Sequence, residues 1–202
     1  MKSLNEMLRG CLRLFRPAIL KLFKQIWETG IFPKDRMKSI IVPLHKKGKN
    51  DDPENYRGMS LTSNLCKCFT YIINKRLTDW ANVDKVILEE QDGYWVGYSR
   101  VDQIFVLYSL MHRVLCRNKL YACLVEFRKA CDTIERNQLW QVLLKLRSSI
   151  KMVNCLKGLS ADVKSCVTCV RVYNNEFTDF FDLKDGSRQG CLFSPMLFSF
   201  NK

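Results

Sequence analysis

Arg188-Gln189-Gly190-Cys191-Leu192-Phe193-Ser194-Pro195-Met196-Leu197-Phe198 is the stretch on which the reading of this 202-residue chain turns. It follows Gly186, starts as a glycine turn and continues apolar. Glycine lets a backbone approach a ligand closely, and the Gln189 amide can both donate and accept hydrogen bonds. By residue type alone the same stretch is also a plain turn leading into a helix. Its meaning depends on what else the chain carries.

Upstream, residues 166–173 and 176–183 are β-rich runs flanking Asn174-Asn175, a hairpin signal. Residues 135–147 read as a helix with Leu139, Val142, Leu143 and Leu146 inward, and residues 121–127 as a short buried strand. Residues 101–117 read as a helix with Ile104, Leu107, Tyr108, Met111 and Leu115 on one face. Residues 81–99 look irregular, and a helix covers about 63–80. Before it come a polar loop over 45–56 and a strand over 37–44. The first helix spans about 12–28, starting either at Leu12 or at Pro17, with Gly30 as its C-cap and Pro33 as a stop. Mixed α and β is the class this pattern predicts, with no repeat, low-complexity segment or linker.

Hydrophobic residues make up 47% of the chain and charged residues 26%, a globular balance that excludes intrinsic disorder. With 33 Lys and Arg against 20 Asp and Glu, the net charge is +13. Such an excess points to a polyanion: nucleic acid, nucleotide or an anionic membrane surface. It is concentrated at one end, since residues 1–50 carry 12 basic and 3 acidic side chains whereas residues 51–100 carry 6 and 8. No run approaches the roughly 20 apolar residues of a membrane span. Arg9 and Arg13 interrupt the start where a signal peptide needs its apolar core. The expectation is an intracellular protein, nuclear or cytoplasmic, with its ten cysteines reduced. Cys66-x-Cys68 and Cys166-x-x-Cys169 have a faint zinc spacing, but neither His45 nor His112 lies near them. A cysteine-based metal module is the alternative this spacing offers.

Further segments stand in fixed order before the opening one. They are Trp27-x-Thr29-Gly30-x-Phe32-Pro33, Ile41-Val42-Pro43-Leu44-His45-Lys46-Lys47-Gly48, and Asn55-Tyr56-Arg57-Gly58-Met59-Ser60-Leu61. Then come Gln91-x-Gly93-Tyr94-x-x-Gly97-x-Ser99-x-x-Asp102-Gln103-Ile104 and Glu126-Phe127-Arg128-Lys129-Ala130-Cys131-Asp132. From about Trp27 onward the series resembles the reverse transcriptase domain of non-LTR (LINE-type) retroelements.

That resemblance implies an α+β, right-hand polymerase fold, incomplete here. Residues 1–26 would be a helical lead-in, about 27–117 the fingers and about 118–202 part of the palm, with the thumb missing. The implied activity is RNA-directed DNA polymerisation, with an RNA template, a DNA primer and dNTP as partners and no membrane. Aspartates would hold Mg²⁺, which activates the primer hydroxyl and neutralises phosphate charge.

The site residues carry over one by one. Glu126 stands where the family has its first metal-binding aspartate, which implies a catalytic, metal-holding role; its extra methylene moves the carboxylate by about 1 Å. By residue type it is an exposed Glu paired with Arg128 or Lys129. Cys131 stands at the bulky aromatic that blocks a sugar 2′-hydroxyl, implying weaker exclusion of ribonucleotides; otherwise it is a small buried cysteine. Asp132 is read as structural, capping the next helix. Lys46, Lys47 and Arg57 match basic fingers residues that grip the triphosphate, or belong to a solvated loop. Gln189 and Gly190 match the motif against the base and sugar, with Leu192-Phe193 in place of Pro-Leu. Tyr94, Trp95 and Tyr98 either stack on bases or pack.

The family's second carboxylate motif, an aromatic-Ala-Asp-Asp turn, is expected some tens of residues beyond Pro195. The sequence ends at Lys202 with no Asp-Asp after residue 52. The chain is therefore expected to be truncated and inactive alone; the rival reading is a non-catalytic nucleic-acid-binding remnant.

Overall fold

Pro17 does not break the first helix: α1 runs continuously over Leu12–Thr29. The computed structural model describes residues 6, 10, 12–33, 38–87, 93, 97, 99–115, 119–127, 132–161, 163–167, 178–183, 185–187 and 189–200. Proline leaves the carbonyl four residues back without its helical donor, and here that carbonyl belongs to the exposed Arg13, within reach of water. Gly30 ends α1 at φ +69°, donating its N–H to the Ile26 carbonyl at 2.8 Å, the left-handed cap that glycine adopts without strain.

β1, Ser39–His45, and β2, Tyr56–Leu61, form an antiparallel hairpin in register Ile40↔Leu61 to His45↔Tyr56. α2 follows over Asn64–Val83, capped by Ser63, whose hydroxyl accepts from the Cys66 N–H at 3.2 Å. Its buried residues, Cys66, Phe69, Ile73 and Leu77, recur at helical spacing. After α3, Arg100–Leu115, come α4, Arg136–Lys145, and α5, Ile150–Ser160. β3, Lys164–Val167, β4, Phe181–Asp182, and α6, Ser194–Ser199, complete the order. The sheet order is β2-β1-β3-β4, with β1 parallel to β3 and the other pairs antiparallel. β3 and β4 pair as the arms of the expected hairpin; Asn174-Asn175 lies outside the described residues. The class is mixed α+β.

One apolar core joins α1, α2, α4, α5 and α6 through Ile26, Phe69, Leu143, Leu156 and Leu197, each at most 2% exposed. Burying a side chain of this size is worth about 1.5–3 kcal/mol. Phe69 lies between Phe23 and Phe32, at centroid distances of 5.0 and 5.8 Å. The backbones of α1 and α5 nearly touch: a Cβ on Gly158 would overlap the Gly30 carbonyl oxygen.

The structure corrects two expectations. Residues 121–127 are neither a strand nor buried, with Tyr121 87% and Leu124 91% exposed. A run of β-formers becomes a strand only when a neighbour supplies a ladder, and this run pairs with neither edge of the sheet. α3 forms where its periodicity places it, but Ile104, Leu107, Tyr108 and Leu115 remain exposed. Periodicity defines a face, not what covers it. β2 and α5 have no counterpart among the sequence expectations.

Candidate functional site

The β1–β2 connection is a braced loop. His45 and Tyr56 close its base, their rings 5.2 Å apart, and the Lys46 N–H donates to the Asn55 carbonyl at 2.8 Å. Inside the loop, Asn55 Nδ2 donates to the Lys49 carbonyl and the Tyr56 hydroxyl to the Asn50 carbonyl. Gly48, at φ +89°, is pressed so close to the Asn55 side chain that a Cβ there would collide with it. These bonds fix the backbone from which the exposed Lys46, Lys47 and Lys49 project.

Arg57 sits on β2 opposite Leu44, one step beyond the loop. Its Nε donates to Gln189 Oε1 at 3.1 Å, joining residues 132 positions apart. Gln189 is anchored from the other side, because its backbone carbonyl accepts from the Ser60 N–H at 2.8 Å. Gly190 follows at φ +97°, where a Cβ would stand 3.2 Å from the Ser60 oxygen, so this turn needs glycine for both angle and space. Gln189 Nε2 donates to Asp132 Oδ1 and Oδ2 at 3.1 and 3.2 Å. The order is guanidinium, amide, carboxylate.

Asp132 therefore does not cap the next helix. Glu135 occupies the N-cap of α4, without a side-chain cap bond, and the Asp132 oxygens are taken up by Gln189. Beneath the pair lies a cleft of about 300 Å³, lined by Gly58, Ser60, Asp132, Asp185 and Gln189 among others. Its lining carries two carboxylates and Arg136, whose guanidinium is taken up by backbone carbonyls, whereas Arg57 and the loop lysines are exposed.

Sequence reasoning passed over Arg136. Its guanidinium donates to the carbonyls of Gly186, Ser160, Leu183 and Asp185 at 2.8–3.3 Å. This staple holds Leu183, Asp185 and Gly186, and so the approach to Gln189, against the end of α5. A lone arginine at the start of a helix carries no local sign of such a role.

Glu126 is exposed in the irregular 119–127 segment. Its neighbour Phe127 meets Phe198 of α6 edge-on at 6.1 Å, which brings this segment to the helix after Gly190. Among the described residues no three His, Cys, Asp or Glu side chains converge to hold a metal. Mg²⁺ prefers several oxygen ligands in octahedral array, and a lone exposed Glu126, with Asp132 engaged by Gln189, does not fit it. Cys131, Tyr94, Trp95, Tyr98, Arg128 and Lys129 lie outside the described residues. The zinc spacing is not met at Cys66 and Cys68, because two residues on a helix are about 200° apart: Cys66 is buried and Cys68 exposed. Cys169 is not among the described residues. No helix among the described residues is long and apolar enough to cross a membrane.

Residues 44–201 match the family described as reverse transcriptase (RNA-dependent DNA polymerase), and the chain belongs to that family. The relatives it matches are RNA-directed DNA polymerases of non-LTR retrotransposons. It is 27% identical over 184 residues to the probable RNA-directed DNA polymerase from transposon BS of Drosophila melanogaster, across 88% of this chain and 19% of that protein. To the RNA-directed DNA polymerase from mobile element jockey of the same species it is 28% identical over 116 residues, 56% of this chain and 13% of that one. To the retrovirus-related Pol polyprotein from type-1 retrotransposable element R2 of Nasonia vitripennis it is 22% identical over 183 residues, 90% and 17%. The chain thus spans a fifth or less of the length of these relatives.

Proposed function

We propose that this chain is the nucleotide-gripping part of an RNA-directed DNA polymerase of right-hand architecture, with fingers over about 27–117 and part of the palm over about 118–202. Residues 1–26 are then a lead-in to the fingers. The observation that carries the reading is the 3.1 Å bond between Arg57 and Gln189. It joins the two motif segments that the family resemblance assigns to one dNTP.

In this reading the Arg57 fork and the loop lysines Lys46 and Lys47 take the triphosphate oxygens, for which a planar guanidinium and point-charge ammoniums are suited. Gln189 and Gly190 lie against sugar and base, where the bare glycine backbone permits close approach. Cys131 stands at the family position of a bulky aromatic, a smaller residue type that implies weaker exclusion of ribonucleotides. RNA template and DNA primer are held chiefly through phosphates by the basic fingers.

The family uses divalent metal ions, which neutralise charge on the transferring phosphoryl group. Glu126 is the family-equivalent carboxylate, but the described carboxylates do not form a metal site, so no chemical step is assigned to this chain. Binding is the activity its own residues support. Equilibrium dialysis with radiolabelled dTTP tests it: the chain binds dTTP, and both Arg57→Ala and Gln189→Ala weaken binding by about tenfold or more, the scale of a lost charge-assisted contact. Unchanged affinity in both variants refutes the reading.

A further inference from the structure

We propose that Asp132 is a positioning residue for the nucleotide site: its carboxylate fixes the orientation of the Gln189 amide, and through it the Arg57 guanidinium. The inference rests on the dTTP-binding reading above and adds to it a residue that never touches the nucleotide. A guanidinium only donates, an ionised carboxylate only accepts, and a glutamine amide has one end of each kind. Placed between Arg57 and Asp132, Gln189 satisfies both partners in a single orientation, with Oε1 toward Arg57 Nε and Nε2 toward Asp132. Turned over, it would set N–H against N–H and oxygen against oxygen.

The consequence reaches Arg57. Its Nε–H is committed to Gln189, while no acceptor among the described residues takes its Nη donors. The planar fork is thus held on an exposed, otherwise mobile side chain with its Nη edge available to two phosphate oxygens. Holding a long side chain in its bound rotamer before the ligand arrives removes an ordering cost from binding. Asp132 is itself seated by the chain around it. Gly186 packs so tightly on the Asp132 backbone that a Cβ there would stand 2.7 Å from the Asp132 carbonyl oxygen, and the Gly186 carbonyl is in turn held by Arg136 at 2.9 Å. Two glycine turns, at 186 and 190, therefore set the distance across which the amide reaches.

The test is dTTP binding by the full 202-residue chain, read by equilibrium dialysis, with thermal melting of each variant alongside. Asp132→Ala is expected to weaken dTTP binding about five- to tenfold, the scale of one net hydrogen bond, while Arg57→Ala weakens it at least as much. Gln189→Glu sets two carboxylates face to face and loses affinity. Adding Asp132→Asn restores a donor opposite the new carboxylate and the original net charge, so the double variant is expected to recover to within about threefold of wild type on the same scale. A purely structural aspartate predicts no such rescue. Wild-type affinity in Asp132→Ala, with affinity lost in Arg57→Ala, overturns the positioning role and leaves the nucleotide reading standing. A double variant no better than Gln189→Glu also overturns it. Undiminished binding by Arg57→Ala, or no dTTP binding by the wild-type chain, overturns the nucleotide reading and the positioning role together.

Discussion

Arg136 Nη1 lies 2.8 Å from the carbonyl oxygen of Ser160, the last residue of α5. The final carbonyls of a helix have no partner within it and carry the negative end of its dipole, so a cation here serves both needs. The same guanidinium reaches the Leu183, Asp185 and Gly186 carbonyls. Arg136→Ala strands these acceptors and is expected to destabilise the chain by about 2–3 kcal/mol. Arg136→Lys keeps the charge but loses the fork and recovers less than half of that. Urea midpoints of the three proteins check this; equal midpoints for arginine and alanine would remove the staple.

Gly158 tests the contact between α1 and α5. Alanine in place of a helical glycine ordinarily gains about 1 kcal/mol. Here its Cβ would overlap the Gly30 carbonyl oxygen, a backbone atom at a left-handed cap that cannot swing aside. Overpacking costs about 1–3 kcal/mol and should exceed the propensity gain. Gly158→Ala is therefore expected to lower the melting temperature, whereas an increase would show that the helices separate freely.

The legible parts of this fold are those whose causes are local. The helices expected over 12–28 and 63–80 and the Gly30 stop each answer to signals within a turn or two. β2 escaped because its residues, including Gly58, read as a motif rather than an alternating strand. The 121–127 run failed in the opposite direction, with strong β propensity but no neighbouring strand. In the candidate site, motif alone marks Arg57, Gln189 and Gly190, and the structure joins Arg57 to Gln189. For Asp132 the local rule offers a helix cap. Its observed partner lies 57 residues away, and a tertiary hydrogen bond leaves no periodic trace. Arg136 was missed for the same reason.

Cysteine reactivity should sort by burial. Cys68 and Cys123 are exposed, while Cys66, Cys155, Cys166 and Cys191 are buried. Burial pushes the Cys155 thiol up from 9.0 to about 12, against a smaller opposing pull from Arg76. Iodoacetamide at pH 8, followed by peptide mass spectrometry, is expected to modify Cys68 and Cys123 in the folded chain and Cys155 only after denaturation, because the thiolate is the nucleophile. The pH dependence has a definite sign. The unfolded thiol ionises near 9 and the folded one near 12, so its contribution to stability is intact below pH 9 and is lost as pH rises toward 12. Urea midpoints of wild type and Cys155→Ala over that range should show the wild type losing stability faster. Parallel curves would show that Cys155 does not carry the decline.

The proposed nucleic-acid binding makes a prediction from the distribution of charge. Residues 1–50 hold 12 of the 33 basic side chains against 3 acidic ones, and Lys46, Lys47 and Lys49 project from a loop whose backbone is braced by Asn55 and Tyr56. Contacts to phosphates release counterions, so affinity for single strands should fall with salt at a log–log slope of about −0.7 per phosphate neutralised. Replacing the three lysines together by alanine is expected to weaken binding of a fluorescent RNA uniformly across sequences and to make the slope shallower by about two to three phosphates' worth. The competing outcome comes from the exposed apolar residues of α3, among them Ile104, Phe105 and Tyr108, each more than 60% exposed. A surface of that kind favours self-association, and aggregates retain RNA without a defined salt slope. Light scattering on the same samples separates the two. A monodisperse protein whose RNA affinity is insensitive to salt, or unchanged in the triple variant, would show that the β1–β2 loop is not the binding surface.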